Sequence, residues 1–118
     1  MSLDIYFEDP NTKAYLEIDG DTNITHNLNK IAQELCFYKI LWRPEETVGL
    51  FKNPSRIRAV EILPYYREAL ATVLEEGDTV KHLLPINGWG TLDCFNRVLT
   101  SCINACIKYP DSIIVISR

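Results

Sequence analysis

Glycine and histidine are scarce in this 118-residue chain, with 5 and 2 copies, and the shortage removes several kinds of chemistry at once. Neither G-x-G-x-x-G nor the Walker spacing occurs, so the backbone cradles that hold nucleotide phosphates are missing. There is no G-x-S-x-G elbow, H-E-x-x-H or S-x-x-K, which leaves a conventional triad or metalloprotease little material. Long hydrophobic runs are missing too. The longest are Leu35-Cys36-Phe37-Tyr38 and Ile113-Ile114-Val115-Ile116, too short to span a bilayer or to form the core of a signal peptide. The reading is a soluble, cytoplasmic chain with no membrane partner, and the glycosylation pattern at Asn23-Ile24-Thr25 is coincidental without a secretory route. Basic charge is also short: 12 Lys and Arg stand against 16 Asp and Glu, the net charge is −4, and the cations are scattered. Nucleic acid is therefore not an expected partner. The acidic excess is equally too small and dispersed to imitate a polyphosphate.

What is present fits one globular domain over residues 1–118, with 47% apolar and 24% charged residues, no repeat and no linker. Of its 4 cysteines, Cys94, Cys102 and Cys106 share one helical stripe with Val98, which predicts reduced, buried core thiols. No Cys-x-x-Cys pair occurs, so neither a metal site nor a cofactor is expected.

Leu3, Ile5 and Phe7 alternate with polar or amphipathic residues, Asp9-Pro10-Asn11 reads as a turn, and Ala14, Leu16 and Ile18 alternate again, a β-hairpin pattern. The spacing of Ile24, Leu28, Ile31 and Leu35 then predicts a helix from about Asn23 to Phe37, with Thr22, Asn23 or Thr25 as its cap. Pro54 opens a second helix that reaches Gly77, and Pro64 inside it predicts a kink or break near Glu61 to Leu63. Thr91 caps a third helix that stops before Pro110, and Ser112 to Ser117 forms a strand covered on both faces or central in the sheet. The fold expected is α+β: an N-terminal β-hairpin and a C-terminal strand in a three-stranded sheet, with about three helices packed on one face.

At Asn23 to Leu28, Leu41-Trp42-Arg43-Pro44-Glu45-Glu46, Asn87-Gly88-Trp89-Gly90 and Ile113 to Arg118, the chain resembles small uncharacterised proteins of bacterial and phage genomes. The resemblance implies a phage, prophage or accessory bacterial gene and brings no activity or ligand with it.

A few residues exceed what a plain fold needs. His26 sits among Asn23, Thr25 and Asn27 at an expected helix start, where amide and hydroxyl groups serve either as ordinary caps or as a small polar site for an anion. Trp89, between glycines, is either a plug over the core or a ring offered to a partner, and Trp42 beside Arg43 carries the same two readings. Parallel packing of the first and last helices would gather His26, Asn27, Asn87 and Trp89 around one depression. The adjacent carboxylates Glu45-Glu46 and Glu75-Glu76 diverge by about 100° on a helix and read as solvated surface, so no catalytic residue is named. These features favour a non-enzymatic binding or protein-interaction module with a protein partner. The alternatives are a small-ligand binder or enzyme using a polar pocket near His26, and a structural or assembly protein. No pattern fixes an oligomeric state.

Overall fold

A computed structural model describes residues 2–84 and 91–118. Alternation along the first strand does what the sequence asks. In β1 (Ser2–Glu8), Leu3, Ile5 and Phe7 are fully buried, while Ser2, Asp4, Tyr6 and Glu8 are half-buried on the opposite face. β1 is the middle of a three-stranded antiparallel sheet ordered β2-β1-β3, with β2 at Asn23–Thr25 and β3 at Ile113–Ser117. Phe7 lies opposite Ile114 and Ile5 opposite Ile116 in one register, and Leu3 opposite Ile24 in the other. The buried face of the sheet meets α3 (Ala59–Glu76) and α4 (Leu92–Lys108), which bury Ile62, Tyr66, Phe95, Val98 and Leu99 in one continuous core. The α+β class and a C-terminal strand beside the first are therefore as expected.

Several local expectations are corrected. The second strand comes from Asn23–Thr25, not from Ala14 to Ile18, which contributes a bridge between Glu8 and Tyr15 with the bonds from Leu16 N to Phe7 O at 2.7 Å and from Asp9 N to Ala14 O at 2.8 Å. The Asp9 turn does form: its Oδ1 accepts from the backbone N–H of Asn11 and Thr12 at 2.8 and 2.9 Å. What reads as one helix from Asn23 to Phe37 is three pieces: β2, a 3-10 turn at His26–Leu28, and α1 (Asn29–Glu34). Ile24, Leu28 and Ile31 are nonetheless all fully buried, because each piece turns its apolar residue to the same core.

The second helix starts at Ala59, with Pro54 left in the preceding turn, and it does not break at Pro64. Val60 and Pro64 both lie exposed, so water can take the carbonyl that the proline ring leaves unpaired. β3 is an edge strand rather than a central one, and Val115 is only half-buried; Ile113 and Ile114 carry the burial. Its outer side is partly closed by the segment before α3, through Ile114 N to Ile57 O at 2.9 Å and Ala59 N to Ser112 O at 2.8 Å.

The cysteine stripe of α4 is core. Cys94, Cys102 and Cys106 are 8%, 0% and 1% exposed, and Cys36 is the exposed thiol of the chain. Burial pushes the Cys106 thiol up to about 12 and the Cys102 and Cys94 thiols above their ordinary range, so the reactive thiolate is suppressed at neutral pH. Labelling with a thiol disulfide reagent at pH 7 is expected to modify Cys36 rapidly and the three helix cysteines only after denaturation. Fast labelling of all 4 in the native protein would contradict this packing.

Candidate functional site

Trp42 is where distant parts of the chain meet. It ends α2 (Tyr38–Trp42), which follows α1 after a turn in which Cys36 adopts φ +66°, a left-handed conformation uncommon for a residue with a side chain. Pro44 disfavours helix for Arg43, whose φ of −143° ends α2, and the chain turns into a 3-10 element at Pro44–Glu46. The Trp42 ring is 2% exposed. Tyr38, one helical turn earlier, stacks on it with centroids 5.3 Å apart and planes 10° apart, while the His26 ring approaches at 6.3 Å and 59°. From the C-terminal end, Arg118 Nη1 donates to the Trp42 carbonyl at 3.0 Å and lies 2.7 Å from Glu45 Oε1, outside a hydrogen-bonding angle. Arg43 Nη1 pairs with Glu46 Oε2 at 3.0 Å, and the Tyr38 hydroxyl, followed by Glu46, holds the guanidinium above its ordinary value.

Two buried polar atoms at this centre, His26 Nε2 and Trp42 Nε1, have no hydrogen-bond partner among the described residues, whereas Glu45 Oε1 is met by its ion pair with Arg118. An indole N–H can only donate, so the group it lacks is an acceptor. Buried polar atoms left unpaired are rare in folded proteins.

The other candidates separate. Asn23 turns to the sheet, donating from Nδ2 to Ser2 Oγ at 2.9 Å and Asp4 Oδ1 at 2.8 Å, and so ties β2 to β1 rather than joining His26. Thr25 caps the 3-10 turn, its Oγ1 accepting from Asn27 N at 3.4 Å. The Asn27 side chain is exposed in that turn. Asn87 and Trp89 lie outside the described residues, and the depression expected between them and His26 lies outside with them. His26 and Trp42, taken as separate candidates in the sequence, are thus one cluster.

Beyond Tyr38 and Glu46 the same elements wall an open groove of about 530 Å³. Tyr38, Ile40, Val48 and Leu50 line it, with Lys39 and Glu46 supplying opposite charges. Val48 is 95% exposed and Leu50 39%, in a loop whose Gly49 takes φ +75°. Sequence reasoning passed over this loop. Its signal was Val48-Gly49-Leu50, two apolar residues with a turn glycine between them in a connecting segment.

Among the described residues, no three His, Cys, Asp or Glu side chains are grouped to hold a metal ion. No helix among the described residues is long and apolar enough to cross a membrane. No protein-family model matches this chain, and no curated protein and no solved structure matches it.

Proposed function

We propose that this chain is a non-enzymatic protein-interaction module, of phage, prophage or accessory bacterial origin and acting in the cytoplasm, which recognises its partner with the face formed by Tyr38, Val48 and Leu50. The observation that carries the reading is Val48, an aliphatic residue 95% exposed at the rim of a groove. Exposed apolar groups that adjoin a concavity and have polar neighbours are what interaction surfaces present. The stack of Tyr38 on buried Trp42 keeps this wall rigid, which lowers the entropy lost on association. Lys39 and Glu46, opposite in sign, favour a partner segment that offers an apolar side chain between complementary charges. Four unpaired cysteines fit a reducing compartment.

The test is calorimetric titration of the purified partner, recovered from the host, against the chain and its Val48→Asp variant. Affinity is expected to fall at least about thirtyfold, the loss of a hot-spot contact, with the thermal midpoint unchanged. Undiminished affinity would overturn the reading. A second reading, a small ligand with an acceptor group bound beside His26, draws on the unpaired Nε atoms of His26 and Trp42. It takes precedence if Val48→Asp binds normally while His26→Phe does not.

A further inference from the structure

A second open groove, of about 880 Å³, lies where Pro10, the chain from Lys52 to Glu61, and the turn between α4 and β3 come together. It shares no lining residue with the groove at Val48. Three cations line it, Lys52, Arg56 and Arg58, in a protein whose net charge is −4. Their placement is built rather than incidental. The Asn53 carbonyl accepts from Arg56 N at 3.0 Å and its side chain from Ser55 N at 3.0 Å, forming a turn that carries Arg56 to the Pro10 carbonyl at 3.1 Å. Arg58 is held by its backbone bridge to Ile113.

The two carboxylates in the groove differ in their ties. Glu61 accepts from the backbone N–H of Lys52 at 3.3 Å and of Arg58 at 3.4 Å, so it closes the loop on itself. Asp111 pairs with Arg58 at 2.6 Å, with the side chains 76% and 50% exposed. An ion pair as exposed as that is weak and open to exchange. The Lys52 ammonium has no ion-pair partner among the described residues.

We propose that this groove binds an acidic peptide segment of a protein partner, one carboxylate of which takes Lys52 while another displaces Asp111 from Arg58. Three cations less two carboxylates leave a lining charge of +1, too little for a polyphosphate backbone with its dense charge but matched to a short acidic stretch. Pro10 and Ile113 add apolar walls that suit a side chain next to the acidic ones. The site is a surface additional to the one at Val48 and stands independently of it.

The experiment is selection of a displayed library of random short peptides on the full chain, followed by titration of the recovered peptides against variants. Acidic residues beside apolar ones are expected to be enriched. Lys52→Glu and Arg58→Glu should each weaken binding about tenfold, and Asp111→Asn, which removes the internal competitor, should tighten it about two- to fivefold. Lys52→Gln and Arg58→Gln serve where a charge reversal disturbs folding, with smaller losses in the same direction. Val48→Asp should leave these peptides bound. Enrichment without acidic residues, or indifference to all the charge variants, would overturn the proposal. So would displacement of the peptide by duplex DNA or inorganic phosphate at low concentration, which would mark a general anion site. Loss of binding in Val48→Asp with the charge variants unaffected would also overturn it, and would leave the Val48 surface standing.

Discussion

Phe7→Ala is expected to remove about 3 to 5 kcal/mol of folding stability, the usual loss when a fully buried aromatic side chain is cut back and a cavity remains. Phe7 is 0% exposed on the central strand and stands opposite Ile114, so neighbouring strands cannot close on the space without shifting the register that holds both edges. Domains of this size have about 5 to 15 kcal/mol in all, so the variant should lie near its unfolding threshold at 37 °C. Tyr6→Ala, one residue away on the opposite face, removes a half-buried ring stacked on Tyr15 at 4.8 Å, and its effect should be clearly smaller. Urea denaturation of the pair checks which face of β1 is core. Equal losses would mean that the sheet is covered alike on both sides.

Gly20→Ala is the second large effect, at about 2 to 4 kcal/mol, and it arises from two separate causes. Gly20 has φ +97°, a conformation that side-chain-bearing residues rarely take, and a Cβ there would sit 2.3 Å from the Oγ of Ser101. Ser101 cannot easily turn away, because it is buried in α4 and its hydroxyl donates to the Arg97 carbonyl at 2.9 Å. In a double-mutant cycle, Ser101→Ala should recover most of the steric part, the closer approach to Oγ, and leave the tight 3.3 Å contact with the Ser101 Cβ and the backbone part. Purely additive losses would show that the close approach of the loop to α4 is not the cause.

The contrast between these sites shows what the sequence makes legible. The alternation of β1 and the cysteine stripe of α4 were readable because each is a long run of one period facing one partner. Ile24, Leu28 and Ile31 misled for the same reason. Their helical spacing is real, but it spans a strand, a 3-10 turn and a helix, and only the pairing of Asn23–Thr25 with Ser2–Asp4, distant in sequence, decides the strand. Ala14 to Ile18 alternates as a strand would, and Leu16 and Ile18 pack partly buried against the core, but the segment forms only a bridge to β1 and no strand of the sheet. The turn at Cys36 gave no signal, since the residue at positive φ is neither glycine nor asparagine.

The candidate site was legible in its parts and not in its assembly. His26, Trp42 and Arg43 stood out by residue type, yet their joining to Arg118 depends on the C-terminal strand lying beside β1. The basic groove was missed because Lys52, Arg56 and Arg58 looked dispersed in a chain of net negative charge. They share a wall only once the segment before α3 docks along β3.

Hydrogen–deuterium exchange with and without the purified partner tests the interaction surface most directly. Binding is expected to slow exchange across residues 38–50, the stretch that runs from Tyr38 through Val48 to Leu50, and to leave the buried middle of α4 unchanged. Protection confined to other parts of the chain, with residues 38–50 exchanging as fast in the complex as alone, would contradict the account.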